Sequence, residues 1–495
     1  MKIHLRTSQL LAGFLFLGIL LIPVCAGAQG DDKRNNFQKD FNDFKSSIDQ
    51  QFDNFVQHND SVFVQFLSQS WKEFLGVQNP IPTPPKPIQQ PKVGDPVIPD
   101  FPDKKDSIQK TPASNIEPII PVPIDSVLPK TEAITTAAGS SSFMFYGSEI
   151  TIPFPDTGLL ELRSLTNEGI INFFKKAAKS SLLNAVIRTS KENSIQCKLN
   201  DWGLASLLMT AAQKLYTTRN EQVLFTWYAL IRNGFNAKVG YNKERVYLLL
   251  PAVEKVYSVS YTINNIVYYL FDFDFPTPQV KLLSIYEADY PGNRTDFSFL
   301  MPETPQLGNQ FVSKTIDDGS PFDLKLNKNL IDFYNNYPTC ELKVFFAAPL
   351  SEPILRQLDV YFNPLLKNKD DDERVAFLLN FVQRGIKYQT DQEQFGREKY
   401  LFAEETLFYQ TADCEDRAIL LSKLIRHYTK LATIGLLYPE HVSLAVTITN
   451  VPDCKYFTHK NKRYYNCDPT YLGALCGAIM PRFLNSEPEI IDCDL

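Results

Sequence analysis

A proline-rich stretch near the N-terminus limits what this chain of 495 residues can fold into. Between Pro80 and Pro129 lie 14 of its 33 prolines, in runs such as "PIPTPPKPIQQP". Proline fixes its φ angle and has no backbone N–H, so neither a helix nor a central strand tolerates this density. We therefore predict an extended linker over residues 76–140, with the main folded part beginning near residue 141.

The first 28 residues have the pattern of a secretory signal peptide. A basic start precedes an apolar run over residues 10–24, and "AGA" at residues 26–28 offers a small-residue cleavage site. The mature protein is therefore expected to be exported, to the periplasm or the extracellular space. Lipidation of Cys25 is the alternative, although Val24 stands where a small residue is preferred.

The composition argues against two classes of partner. The net charge is −6, the pI is near 5.6, and no basic run stands out to neutralise phosphates, so no nucleic-acid partner is predicted. No stretch after the signal peptide approaches the roughly 20 apolar residues that a spanning helix needs, so no membrane span is predicted.

An aromatic stripe occupies residues 31–75. Its large apolar side chains recur at spacings of three and four, which predicts one amphipathic helix, with Asp60 or Ser61 as an alternative second start. The stripe consists of Phe37, Phe41, Phe44, Ile48, Phe52, Phe55, Phe63, Phe66, Leu67, Trp71 and Phe74. Such a stripe must be covered, either by the chain's own folded part or a second copy, or by a separate protein partner docked through the helix at 37–74.

The rest of the sequence contains two similar successions of helices and strands, which predicts an α+β fold. Residues 141–275 and 336–495 are each expected to form a domain. An irregular connection with short strands, rich in Pro and Gly, joins them over residues 276–335. In the second domain the run "CELKVFF" predicts a first strand.

Spacing supports an internal duplication of these two domains. Aligning "LIR" at residues 230–232 with "LIR" at residues 424–426 places Asn220 opposite Cys414. The first copy would then have an amide where the second has a thiol.

A second correspondence follows after a two-residue gap. Arg245 then faces His441, and Asp272 faces Asp468. The step from Arg245 to Asp272 is 27 residues. The step from His441 to Asp468 is the same, so the first copy would also lack a base.

Cys414 stands at the predicted start of an amphipathic helix, in "TADCEDRAILLSKLIR". The free N–H groups and the dipole of a helix N-terminus favour a thiolate there. A thiolate nucleophile needs a general base and a group that orients the base, and His441 and Asp468 can supply both. If their strands pair antiparallel, positions equidistant from the intervening turn lie opposite each other, so the two side chains should meet at one end of a sheet.

Each of these three residues also has an ordinary structural interpretation. A cysteine in an amphipathic helix usually belongs to the core, and a histidine that opens a strand is usually structural or solvated. Aspartate before proline commonly ends a strand. Catalysis is favoured only because all three residues occur together, in this order and at this spacing.

Three motifs in this order resemble those of the bacterial transglutaminase-like superfamily: "TADCEDRAILLSKLIR", "YPEHVSLAV" and "RYYNCDPTY". The resemblance covers about residues 340–480 and implies a papain-like core, in which a cysteine helix packs on an antiparallel sheet. It implies Cys414 as nucleophile, His441 as general acid and base, and Asp468 as the orienting carboxylate. Ala412 stands near the cysteine, where relatives commonly have glycine directly before Asp-Cys or Asn-Cys.

The superfamily includes peptidases, amidases, cross-linking transferases and inactive binding modules, which share at most thiolate attack on an acyl carbon. The resemblance therefore implies a cysteine-dependent acyl-transfer enzyme, most readily one that hydrolyses a peptide, protein or cell-envelope amide substrate. The alternative is a non-catalytic binding or assembly protein that keeps the fold. The backbone N–H of Cys414 is the expected oxyanion donor.

The other cysteines and the histidines predict neither a metal nor a cofactor. Seven cysteines follow the signal peptide, and an odd number leaves at least one thiol without a partner in the chain. Cys467 could pair with Cys454 or remain unpaired. The folded part has three histidines (His427, His441 and His459), no Cys-x-x-Cys pair and no glycine-rich phosphate loop.

Overall fold

The computed structural model describes residues 47, 50–51, 54–81, 86, 89–94, 139–154, 159–273, 281–292, 294–449 and 454–493. The predicted signal peptide, Cys25, the stripe residues before Phe55 and most of the predicted linker lie outside these residues. The chain divides into two units, Met1–Asn59 and Asp60–Leu495. Every described residue of the first unit is helical. All that follows concerns the second unit.

The second unit is a mixed α+β structure. After the linker its helices are, in chain order, α1 (Asn167–Ala178), α2 (Ser181–Gln196), α3 (Asp201–Leu215), α4 (Arg219–Arg232), α5 (Lys328–Asn335), α6 (Leu342–Ala347), α7 (Glu352–Leu366), α8 (Asp371–Gly385), α9 (Asp391–Phe395), α10 (Ala403–Tyr409) and α11 (Cys414–Tyr428).

The strands alternate with these helices. They are β1 (Lys72–Leu75), β2 (Val77–Gln78), β3 (Ser140–Phe145), β4 (Ser148–Pro153), β5 (Lys238–Tyr241), β6 (Val246–Pro251), β7 (Val259–Ile263), β8 (Ile266–Phe271), β9 (Leu282–Ile285), β10 (Phe311–Ile316), β11 (Phe322–Asn327), β12 (Lys387–Tyr388), β13 (Thr411–Ala412), β14 (Thr433–Tyr438), β15 (His441–Val446), β16 (Tyr456–His459), β17 (Lys462–Asn466) and β18 (Glu489–Asp492).

Two larger sheets organise the fold. The first has the order β1-β9-β5-β6-β8-β7-β2 and the second the order β16-β17-β15-β14-β18. All neighbouring strands within them are antiparallel. The run β9-β5-β6-β8-β7 has the same chain order and pairing as β18-β14-β15-β17-β16. Each set also follows an apolar helix, α4 in one case and α11 in the other.

The central strand β15 is buried along its whole length, which fixes its position against the cysteine helix α11. Val442, Leu444 and Val446 join the main core, which also contains the apolar side chains of α11. Ala445 belongs to a separate cluster on the sheet. Because strand side chains alternate between faces, both faces of β15 are covered, and a shift in register would expose one of them.

The predicted helix over residues 31–75 ends earlier than its aromatic spacing indicated. Residues 60–67 are helical, and Phe63 is buried, with its ring 5.1 Å from that of Phe174. Phe74, however, lies on β1, which pairs with β9. The hydrogen bonds between β1 and β9 at the sheet edge therefore prevail over the spacing of three from Trp71 to Phe74, which is typical of a helix. Phe63 and its neighbours pack on the chain's own core.

Two further predictions about elements are wrong. The run "CELKVFF" forms the helix α6 rather than a strand, since a run this short does not give a periodicity that separates the two. The predicted linker contains the strand β2, which pairs with β7. The side chain of Asn79 also donates to the carbonyl of Ser258 at 2.8 Å. The described parts of this stretch are thus attached to the folded unit.

Candidate active site

The helix α11 begins at Cys414, so the thiol occupies the first helical position. The preceding residue, Asp413, is the N-cap and has an extended backbone. The approach to it is held by a short parallel pairing of β13 with β12, in which Tyr388 lies opposite Ala412. The thiol therefore lies where the free N–H groups of a helix N-terminus point, as the sequence predicts.

His441 and Asp468 are in direct contact. The Nε2 atom of His441 lies 2.7 Å from Oδ2 of Asp468, and both side chains are almost fully buried. The other carboxylate oxygen, Oδ1, accepts hydrogen bonds from the backbone N–H groups of Thr470 at 2.9 Å and Tyr471 at 3.2 Å. On the histidine side, the ring of Phe483 stacks parallel to the imidazole at 5.5 Å. Both groups are thus held in orientation, and Nδ1 of His441 is the nitrogen left for proton exchange.

The two residues meet by a different register from the one predicted. An additional strand, β16, lies in the segment that was expected to be a turn, and β17 pairs with both β16 and β15. The pairing of Ala445 with Asn466, when continued, places Asp468 opposite Ser443, two residues from His441. Side chains two residues apart share a face, so the contact is a diagonal one.

The thiol of Cys414 has two hydrogen-bond partners. Sγ donates to Oε2 of Glu415 at 3.1 Å and accepts from the backbone N–H of Val442 at 3.4 Å. Within the described part of the chain, no hydrogen bond joins Sγ to the ring of His441. The structure therefore brings the thiol to the residue next to His441, with its proton directed to Glu415.

The electrostatics favour a protonated thiol. Burial, and after it the charge of Glu415, raise the pKa of the Cys414 thiol well above its ordinary value, while Lys86 opposes this shift. Burial and Glu415 likewise raise the pKa of Asp413 to about 7. In this state of the protein the Cys414 thiol is therefore protonated at neutral pH.

A buried cluster of carboxylates surrounds the start of α11, and sequence reasoning missed it. Asp391, Glu398, Asp413 and Glu415 each place an oxygen within 4.8 Å of the others. This geometry could hold a cation, and the ammonium of Lys86 lies there: its Nζ is 2.6 Å from Glu398 and 2.6 Å from Asp413, and it also contacts Glu415. The acidic residues flanking the cysteine were visible in the sequence, but nothing marked Lys86 among the prolines as their partner.

Two further buried side chains position the segment that carries Asp468. Arg417, one turn into α11, donates to the carbonyl of Pro469 at 3.1 Å and also to that of Ile386. Burial lowers the pKa of Arg417 to about 10, so it remains a cation at neutral pH. Gln383 on α8 donates to the backbone carbonyl of Asp468 at 3.2 Å. Both residues lie within apolar helices, where periodicity alone gives no sign of a polar role.

A disulfide closes the same segment. Cys467 pairs with Cys476, which rules out the predicted alternatives of a bond to Cys454 or a free thiol. The bridge encloses Asp468 and the backbone groups that orient it. A pairing nine residues apart is as local as the predicted one, and the sequence contains no feature that selects between them.

Helix α4 and the first sheet contain matching contacts at the positions that the alignment pairs with the cysteine, histidine and aspartate. Oδ1 of Asn220 accepts from the backbone N–H of Val246 at 2.9 Å, as the thiol accepts from Val442. Nη2 of Arg245 lies 2.7 Å from Oδ2 of Asp272, the same separation as in the histidine–aspartate pair. These groups offer an ion pair and an amide, but neither a nucleophile nor a base.

No protein-family model and no curated protein matches this chain. Within the described ranges, the helices are all too short or too polar to cross a membrane. A function therefore has to be inferred from the chemistry of the site itself.

Proposed function

We propose that this chain is an exported, cysteine-dependent acyl-transfer enzyme that hydrolyses peptide or amide bonds. Cys414 is the nucleophile, His441 the general acid and base, and Asp468 the orienting carboxylate. The observation that supports this most is the 2.7 Å contact of His441 with Asp468 beside a thiol at the first position of a helix. Nucleophile, base and orienting group are the three components that thiol catalysis requires.

The reaction begins when the thiol of Cys414 turns from Glu415 and passes its proton to Nδ1 of His441. The sulfur then attacks the substrate carbonyl carbon, and the backbone N–H of Cys414 donates to the oxyanion. His441 returns the proton to the leaving amine as the C–N bond breaks and a thioester forms. Water attacks the thioester with His441 as base, which releases the carboxylic acid and restores the thiol.

The fold assigned to this chemistry is a duplicated papain-like, transglutaminase-like core. Its support is the identical order and pairing of five strands in each sheet, each set following one apolar helix. The matching contacts of Asn220 and of the Arg245–Asp272 pair also support it. The first copy serves as a scaffold, since it has lost both nucleophile and base.

The disulfide between Cys467 and Cys476 supports export. Such bonds persist in oxidising compartments and are rare in the cytosol. Together with the signal-peptide pattern, this favours a periplasmic or extracellular substrate such as a peptide, a protein or a cell-envelope amide.

A covalent probe tests the proposal. The purified protein is treated with a peptide amide carrying a thiol-directed acyl electrophile, and the labelled residue is located by mass spectrometry. We expect label on Cys414 that is lost in His441→Ala, whereas Asn220→Ala, at the position on α4 that the alignment pairs with Cys414, keeps it. Equal labelling of the wild type and of His441→Ala would show that the thiol is merely reactive, and it would refute the proposed enzymatic function.

A second candidate function is a non-catalytic binding or assembly module. The observation that favours it is the hydrogen bond of the thiol to Glu415, with the proton directed away from His441. In this case Cys414→Ser leaves the cellular role of the protein intact. Loss of that role in Cys414→Ser, with unchanged thermal stability, would contradict the interpretation of the protein as a non-catalytic module.

A further inference from the structure

A short piece of the proline-rich stretch runs beside the candidate site. We call residues 89–93 together with Lys86 the strap. At one end, the backbone N–H of Val93 donates to the carbonyl of Leu472 at 3.1 Å, and the N–H of Leu472 donates to the carbonyl of Pro91 at 2.9 Å. The side chain of Gln90 donates to the carbonyl of Thr470 at 3.2 Å. This end of the strap thus pairs, like an added strand, with the segment directly after Asp468.

The other end of the strap reaches the residues that flank the thiol in the sequence. Lys86 presents its ammonium to Asp413 and Glu415, the residues directly before and after Cys414 in the chain, and to Glu398. Its side chain is only 7% exposed. Burial opposes the charge, but Asp413 and Glu415 more than compensate and raise the pKa of Lys86 well above its ordinary value. The lysine is therefore fully charged and held by buried anions.

The strap is consequently anchored on both flanks of the three candidate catalytic residues. Cys414 is 2% exposed, His441 4% and Asp468 2%, so a substrate carbonyl cannot reach the sulfur in this state. An acyl-transfer enzyme needs an open approach to its nucleophile. Some covering element must leave before the reaction, and the strap, with one anchor beside Asp468 and one beside Cys414, is suited to be that element.

We infer that the strap is an internal occupant of the substrate groove, with Lys86 filling a subsite formed by Glu398, Asp413 and Glu415. The inference rests on the proposed function and names its substrate class. The substrate is an extended peptide segment that pairs with residues 470–472 and places a cationic side chain among these carboxylates. The strap competes with it from within the same chain, and its release controls access to Cys414.

The chemistry of the cluster specifies this ligand. Three acidic side chains, each 21% exposed or less, face one ammonium, so the subsite contains more acidic groups than cations. A neutral or acidic side chain would leave those charges buried without a partner, which is costly. The two backbone hydrogen bonds at Leu472, by contrast, place no demand on side-chain identity, so they would hold any extended peptide.

Release of the strap can be tested without altering the cluster. Val93→Pro removes the backbone donor to Leu472 and leaves Lys86 and the carboxylates in place, while Val93→Ala keeps the donor and serves as the control. Val93 is half exposed, so neither change removes core packing. In the full-length protein, alkylation of Cys414 by iodoacetamide is followed by mass spectrometry. Val93→Pro is expected to react at least about tenfold faster than wild type, and Val93→Ala at the wild-type rate. Equal rates in all three proteins would overturn the strap.

The subsite is tested in the opened protein. A synthetic peptide of residues 80–95 is added to Val93→Pro, alongside a matched peptide with alanine in place of Lys86. The lysine peptide is expected to slow the alkylation of Cys414 and the alanine peptide to have little effect. Equal protection by both would overturn the cationic subsite.

These outcomes are separate from the fate of the proposed function. Alkylation by iodoacetamide needs an accessible thiol but no acyl transfer. If Val93→Pro opens the site and the acyl probe still labels a His441→Ala variant equally well, the role of the strap is supported and the proposed enzymatic function is refuted. If labelling by the probe depends on His441 but alkylation is the same in all Val93 variants, the enzymatic function is supported and the role of the strap is refuted.

Discussion

Lys86 and Asp413 lie 327 residues apart in the sequence, yet Nζ of Lys86 is 2.6 Å from Oδ2 of Asp413, with both side chains almost fully buried beside the candidate nucleophile. A buried ion pair contributes little net stability, because the loss of hydration offsets the attraction. Removing one partner is costly, since it leaves the other charge buried alone. The pair is therefore better suited to fixing one position of the chain than to stabilising the fold. This property fits a strap that must hold its place and still be releasable.

The orienting role proposed for Asp468 predicts a large loss of activity in Asp468→Asn. The amide cannot stabilise a charged imidazole, and its NH₂ group favours the wrong tautomer of His441. The rate of covalent labelling of Cys414 by the acyl probe should fall by about a thousandfold or more. Asp272→Asn, at the matching position of the first sheet, should leave it within about twofold of wild type. A similar loss in both variants would mean that structural damage, rather than catalysis, explains the effect.

The contact of Glu415 with the thiol predicts that Glu415→Gln makes Cys414 more reactive. After burial, the charge of Glu415 is the main cause that raises the pKa of the thiol, so its removal should lower that pKa. The midpoint of a pH profile of Cys414 alkylation should shift downwards, and a shift of one unit speeds the reaction at pH 7 about tenfold. Glu398→Gln is the matched control, since Glu398 shares the contact with Lys86 but the thiol's hydrogen bond goes to Glu415. An unchanged profile in Glu415→Gln would contradict the assignment.

The buried N-cap predicts a specific dependence of stability on pH. The pKa of Asp413 is raised from its ordinary value to about 7, mainly by burial. Between about pH 4 and pH 7 the folded protein therefore holds a proton that the unfolded chain has released, and the free energy of unfolding falls as the pH rises. Asp413→Asn mimics the protonated carboxyl, so its melting temperature should gain on wild type from pH 4 to pH 7. In the exposed control Asp323→Asn, the difference in melting temperature from wild type should stay constant. If the melting temperature of Asp413→Asn instead gained on wild type towards low pH, the prediction would be refuted.

The disulfide that encloses Asp468 predicts a coupled loss of stability and function. Replacing Cys467 and Cys476 together by alanine frees the segment that orients the carboxylate. The free energy of unfolding, measured by denaturant titration, should fall by about 2–3 kcal/mol, and labelling of Cys414 by the acyl probe should slow. Cys197→Ala, half-buried and outside this segment, should change stability by less than about 1 kcal/mol. Full labelling in the double variant would show that the bridge is not needed to position Asp468.

The sequence predicted the features that depend on interactions between residues close together in the chain. The helix that begins at Cys414 follows from a run with helical periodicity behind an acidic start. The sequence predicted that His441 and Asp468 meet, and an equal step of 27 residues aligned Arg245 and Asp272 with them. The structure brings each pair to 2.7 Å. The predictions held wherever the pattern of neighbouring residues was sufficient to choose the element.

Failures occurred where several local choices were of similar free energy. Phe74 fits a helix or a strand equally well, and only the pairing of β1 with β9 selects the strand. The run that became α6 starts with alternating polar and apolar residues, Glu341 to Val344, and this short alternation is typical of a strand. Cys467 had more than one nearby cysteine, and the folded geometry selected Cys476.

The sequence by itself thus determined the mixed α+β order of elements and the residues that could form a candidate catalytic site. The tertiary structure alone decided the diagonal register that joins His441 to Asp468, and the place of Lys86 among the carboxylates beside Cys414. The physical reason is that periodicity and capping act between residues a few positions apart. A buried charge gains its partner only when distant parts of the chain are buried together. The residues next to it in the sequence therefore do not predict which partner it will have.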